Sequence, residues 1–207
     1  MSKKIGVLGI PLFFVFPTAG FLTSLFNIRS KSSACVYVGF AMLLGYAISF
    51  TNTSADSYRY AEAFKQFDNT LSFSSIIEMY QNGQLRDVYR ILLFDITSLF
   101  TNNPKVMYAF AGLVYGIFSY LCLLIFVKER GNRWDRYCLI LGLVFYNYIS
   151  LSNINGFRFH TGALVFFYAT YYYFIEKKNA SVIGIIITPL FHYGFLLAVP
   201  FLLLYKF

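Results

Sequence analysis

Apolar residues along this chain fall in long runs separated by short polar breaks. A helix needs roughly 20 mostly apolar residues to cross a bilayer. Five runs reach or approach that length: 6–26, 34–51, 106–127, 136–152 and 157–175. A sixth, 181–205, contains Pro189, His192 and Pro200, which predicts a kinked or broken helix. The segment 52–105 has a different rhythm. In DSYRYAEAFKQF (56–67), Asp56, Arg59, Tyr60, Ala63, Phe64 and Phe67 recur at helical spacing, which places Asp56 and Arg59 on the protein-facing side. In QLRDVYRILLFDITSLF (84–100), Leu85, Val88, Tyr89, Leu92, Ile96 and Leu99 form a stripe, but Arg86, Asp87, Arg90 and Asp95 argue against a lipid-exposed span. An amphipathic helix lying in the membrane interface fits this pattern better. The pattern predicts an all-α fold, a polytopic membrane helix bundle of about six transmembrane helices with amphipathic helices on its outer face. It forms one domain over 1–207.

Composition strengthens this picture. Of 207 residues, 58% are hydrophobic and only 13% charged, about half the charged fraction of an ordinary soluble domain. The net charge of +8 would suggest nucleic acid in a soluble protein. Here the basic residues sit between apolar runs, where they act as topology signals, so nucleic acid is not the expected partner. Cys35, Cys122 and Cys138 lie inside apolar runs without metal or disulfide spacing and read as small buried hydrophobes.

Orientation follows from the basic loops. KERGNRWDR (128–136) and EKK (176–178) belong on the cytoplasmic side. Two spans separate them, so they agree in parity. NIRSKSS (27–33) is then cytoplasmic too, provided that 52–105 begins and ends outside, and the N-terminus is outside despite Lys3 and Lys4. The first run continues to Phe26 without a cleavage signal and reads as a retained span.

The outer side collects the candidate chemistry. In NINGFRFH (153–160), Asn155 is a good N-cap and Arg158 would stand in the first turn of the next helix. A guanidinium beside a positive helix end suits a phosphate or pyrophosphate. Lipid-phosphate snorkelling or a surface ion pair would explain Arg158 equally well. Asp56 and Arg59 are spaced for an ion pair; they read either as a structural pair or as a phosphate ligand with its orienting or proton-accepting carboxylate. His192, in TPLFHYGF, is either an interhelical hydrogen-bonding group or a general acid/base, and ranks above His160. No metal-binding or nucleotide-binding motif is present, so no cofactor is expected.

Taken in order, D-x-x-R-Y (Asp56, Arg59, Tyr60), N-G-x-R (Asn155, Gly156, Arg158) and F-H-Y (Phe191, His192) resemble the EpsG family of bacterial exopolysaccharide and capsule polymerases, relatives of the Wzy-type polymerases. The family usually has glutamine and a small alanine where this chain has Phe159 and Gly162. Its members continue with further spans after the histidine, so this chain is expected to be incomplete at its C-terminus. The resemblance implies a metal-independent, glycosyltransferase-type polymerase in the bacterial cytoplasmic (inner) membrane. It would join undecaprenyl-pyrophosphate-linked oligosaccharide repeat units at the outer face, alongside a chain-length regulator and a flippase. Arg158 and Arg59, with Asn155 and Tyr60, would bind the pyrophosphate, and His192 or Asp56 would take the proton. The alternatives are a transporter or flippase for lipid-linked sugars, an inactive truncated remnant, or a ligase.

Overall fold

A computed structural model describes residues 2–67, 87–131 and 150–205, with isolated positions 78, 81, 82, 140 and 147. Every regular element among the described residues is helical, and none is a strand. The helices are α1 (Ser2–Val15), α2 (Pro17–Phe26), α3 (Lys31–Tyr46), α4 (Asp56–Lys65), α5 (Val88–Ser98), α6 (Pro104–Arg130), α7 (Phe157–Phe174), α8 (Val182–Phe191) and α9 (Phe195–Leu204). Short 3-10 turns at Leu151–Gly156 and Asn179–Ser181 lead into α7 and α8. The run 136–152 lies largely outside the described residues, as does Cys138.

Helix α6 is the axis of the fold. Asn103 caps it by accepting the Lys105 N–H at 3.0 Å, and Pro104 occupies its first turn, where the missing N–H costs nothing. Over Pro104–Glu129 it is 26 residues long and apolar enough to cross a membrane, the one such helix among the described residues. The other expected spans correspond to shorter or less apolar helices: α3 has 16 residues, α7 has 18, and α8 and α9 have 10 each.

The first run differs from its sequence reading. In place of one helix over 6–26, the chain breaks at Phe16 and folds back as a hairpin. Pro17 opens α2 at a position where it supplies no N–H to continue α1. A Cβ on Gly9 would stand 3.5 Å from the Thr23 hydroxyl, a contact that a continuous helix would hold about 20 Å apart. The run 181–205 is also interrupted, between Phe191 and Phe195.

Helix α3 lies antiparallel against α6 with backbones in contact. A Cβ on Gly45 would overlap the Tyr108 carbonyl, and one on Gly112 would overlap that of Ala41. Small residues at such a crossing let two helices approach closely. At one end of the pair, Tyr120 donates its hydroxyl proton to the Ile28 carbonyl, and Arg29 reaches the Val127 carbonyl at 3.5 Å. Helix α7 runs parallel to α6 on its other flank, where the Cys122 thiol reaches the Leu164 carbonyl at 3.4 Å. Cys122 is buried, but Cys35 is exposed and so is not a core residue.

Charge divides between the two ends of this bundle. At the C-terminal end of α6, Lys128 pairs with Glu176, and the Tyr171 hydroxyl donates to Glu129. The Lys128 hydrogen bond holds the Glu176 carboxyl below its usual range. Asp56, Arg59, Asp87, Arg158 and His192 gather toward the opposite end, with α4 and α5. Helix α5 spans only about 16 Å, too short to cross a bilayer. It turns Ile91, Phe94 and Thr97 inward and leaves Leu92, Ile96 and Leu99 exposed, so the second half of the stripe read from sequence faces away from the protein, while Tyr89 packs inward on Phe157.

The glycine contact makes a direct prediction. Gly112→Ala overpacks the α3–α6 crossing and should cost about 2 kcal/mol, seen as a lower thermal unfolding midpoint in detergent. Gly9→Ala, where the added methyl meets only ordinary contacts, should not lower it. Equal midpoints for the two variants would rule out backbone contact at Gly112.

Candidate functional site

The site is built around Phe157, the first residue of α7, which is fully buried. Three tyrosine rings meet it edge-on: Tyr60 of α4 at 5.4 Å, Tyr89 of α5 at 5.7 Å and Tyr108 of α6 at 5.6 Å between centroids. Edge-to-face pairs of this kind each add about 1 kcal/mol beyond burial. The three contacts fix the rotation of α7, and therefore the direction taken by the next residue, Arg158.

Arg158 points into the protein. Its guanidinium forms an ion pair with Asp87, whose side chain is only 2% exposed, and lies 4.6 Å above the Tyr60 ring. The second carboxylate oxygen of Asp87 accepts the backbone N–H of Tyr193 at 3.2 Å. Beside it, Arg90 of α5 lies 6.0 Å from the Tyr60 and Phe94 ring centroids. Burial, and secondarily the neighbouring Arg158 charge, lower the pKa of Arg90 from its ordinary value. The Nε–H groups of both arginines are buried and have no hydrogen-bond partner among the described residues.

His192 sits in the break between α8 and α9, next to this cluster. Its ring stacks on Tyr193 and meets Phe159 edge-on. Its Nδ1 accepts the Gly194 N–H at 3.1 Å. A neutral imidazole held this way carries its hydrogen on Nε2 and offers a donor there.

Beside this cluster, a polar cavity of about 350 Å³ is lined by Ser54, Asp56, Arg59, Ser152, Asn153, Asn155, Gly156 and His160. It brings together two motifs nearly 100 residues apart in sequence. Asp56 and Arg59 form an ion pair at 2.8 Å, and their side chains are 44% and 66% exposed. This corrects the sequence reading that put both on the protein-facing side. The face that α4 buries is Ser57, Tyr60, Ala61 and Phe64. Small residues at 57 and 61 let the helix pack closely there, which rotates the two charges outward.

Asn155 also differs from its expected role. The residue preceding α7 is Gly156, without a side-chain cap, and Asn155 is an exposed member of the 3-10 turn and the cavity wall. That turn is held by Tyr115, whose hydroxyl donates to the Ser150 carbonyl at 2.8 Å. The structure thus separates the candidates. Asp56, Arg59 and Asn155 share the open cavity, while Tyr60 and Arg158 share a buried cluster with His192 beside it. Asp87 and Arg90 escaped the sequence reading as site residues. Their only signal was two charges in an otherwise apolar helix start.

Residues 32–207 match the model of the EpsG family. No curated protein and no solved structure matches the chain significantly.

The Asp87–Arg158 pair should carry much of the site's stability. Asp87→Ala leaves a mostly buried guanidinium and the Tyr193 N–H without their acceptor, and should cost about 3 kcal/mol in equilibrium unfolding. Adding Arg158→Met should recover part of that loss, because the stranded charge goes with it. An Asp87→Ala variant as stable as wild type would refute the pairing.

Proposed function

The chain belongs to the EpsG family, and from that premise we propose that it polymerises lipid-linked oligosaccharide repeat units at the outer face of a bacterial cytoplasmic membrane. The observation that carries this reading is the convergence of Asp56, Arg59 and Asn155 on one polar cavity, next to a buried arginine cluster at the same end of α6. A cavity of this size lined by amide, hydroxyl, carboxylate and guanidinium groups suits a sugar ring. The adjoining guanidinium of Arg158 suits a pyrophosphate.

The chemistry follows from that division. A hydroxyl oxygen of one repeat unit attacks the anomeric carbon of another, and the bond from that carbon to the undecaprenyl pyrophosphate breaks. The hydroxyl proton passes to a base, a role that suits Asp56, which is open to the cavity and paired with Arg59. The departing pyrophosphate gathers negative charge, which Arg158 stabilises. His192 presents a hydrogen-bond donor through Nε2 and suits the leaving group better than the attacking hydroxyl. The arginines supply the positive charge, so no step is assigned to a metal.

A multi-pass placement agrees with the exposed apolar faces. Ile183, Ile186, Leu196, Leu197 and Phe201 of α8 and α9 all face outward, a surface suited to lipid. The two ends of α6 then lie on opposite sides, with Lys128 and Lys178 cytoplasmic. The α1–α2 hairpin supports a different reading of one detail. If it returns to the side it left, Lys3 and Lys4 share a side with Arg29 and Lys31, which favours a cytoplasmic N-terminus over the outer one expected from sequence.

In a strain lacking its polymerase, expression of this chain should restore long polymer on a gel. Asp56→Asn should abolish it, and Arg158→Lys should shorten or abolish it, with single repeat units accumulating outside the membrane. Repeat units trapped inside would favour a transporter. Normal polymer from Arg158→Lys would remove that residue from the mechanism.

A further inference from the structure

We propose that Arg90 and Arg158, rather than Arg59 and Arg158, form the pyrophosphate cradle, the two guanidiniums being gathered at the Tyr60 ring. This rests on the reading that the substrate carries a pyrophosphate.

The first argument is charge balance. Among the described residues, the cluster holds two guanidiniums, Arg90 and Arg158, and one carboxylate, Asp87. Both oxygens of Asp87 are already engaged, by Arg158 and by the Tyr193 N–H. Arg90 has no ion pair among the described residues and rests only on the rings of Tyr60 and Phe94. Asp87 acts on both half-buried guanidiniums, so one positive charge is left in excess; that excess is costly away from water, and an anionic ligand would offset the cost.

The second argument is unsatisfied hydrogen-bonding capacity. The Nε–H groups of Arg90 and Arg158 are both buried and unpartnered among the described residues. Native proteins rarely leave such donors orphaned without a functional reason. Both guanidiniums lie against one ring, that of Tyr60, so a ligand bridging them would meet donors from two forks. A pyrophosphate, with two phosphorus centres and several anionic oxygens, matches two forks better than a single phosphate does.

The third argument concerns Arg59. Its side chain is 66% exposed and already paired with Asp56. It belongs to the open cavity, where it orients a carboxylate.

The test uses the full chain in phosphatidylcholine nanodiscs, with thermal unfolding read against inorganic pyrophosphate. Wild type should be stabilised by pyrophosphate. Arg90→Gln should lose at least about tenfold in affinity, the weight of a charge-assisted hydrogen bond. Arg90→Lys should keep part of it, and Arg59→Gln should stay within about threefold of wild type. Without ligand, Arg90→Gln should melt at or above the wild-type midpoint, because an uncompensated charge has gone; an Arg90 that merely braces Tyr60 and Phe94 predicts a lower one. Wild-type affinity in Arg90→Gln would overturn the proposal. So would stabilisation by phosphatidylglycerol discs with none from pyrophosphate, which would make the occupant a bilayer lipid phosphate. The polymer assay separates the two readings. Arg90-dependent pyrophosphate binding without polymer would refute the polymerase and leave the cradle. Polymer formation with Arg90-independent binding would do the reverse.

Discussion

The Asp87 carboxylate commits one oxygen to Arg158 and the other to the backbone of Tyr193, and so ties three separate parts of the chain to one point. These are the entry to α5, the first turn of α7 and the break between α8 and α9. A buried carboxylate is tolerated only when its charge and hydrogen-bonding capacity are met. Each of the three parts therefore holds its place only while the other two hold theirs. His192 lies one residue before Tyr193, so its position beside the arginines follows from the same bond.

The rest of the bundle supports that point with a stiff frame. Backbone contact between α3 and α6 leaves no room for side chains to adjust between them. At the far end, Lys128, Glu129, Tyr171 and Glu176 lock the ends of α6 and α7 together. At the near end, the tyrosines around Phe157 set the rotation of α7. Within this frame α4 has two jobs. Tyr60 faces inward to the arginines, while Asp56 and Arg59, within one turn of it, face the polar cavity.

Much of this was legible in the chain. Asn103-Pro104 marks the start of α6, and α7 begins at Phe157 as the apolar pattern predicts. Asp56, Arg59 and Asn155 were singled out from sequence and meet in one cavity. The rotation of α4 was not legible, because Tyr60 and Phe64 belong to both possible faces. The choice fell to Ser57 and Ala61, whose small size matters only against a neighbour. The partner of Arg158 was hidden as well: Asp87 lies 71 residues away, and periodicity carries no information over that distance. The α1–α2 hairpin did leave a signal in Pro17, but the length of the apolar run outweighed it.

The 3-10 turn Leu151–Gly156 has a consequence for how such a protein can diverge. It runs from Ser150, tethered by Tyr115, straight into Phe157, wedged among the tyrosines. There is no slack between the two anchors. One inserted residue would turn α7 by about 100° and swing Arg158 away from Asp87. Between α3 and α4, Ile48 and Phe50 are packed on the core, but residues 51–54 beyond them are exposed and border the same cavity through Ser54. Changes in loop length are therefore affordable on the 51–54 wall and ruinous on the 151–156 wall, so a lineage could alter what the cavity admits from one side only.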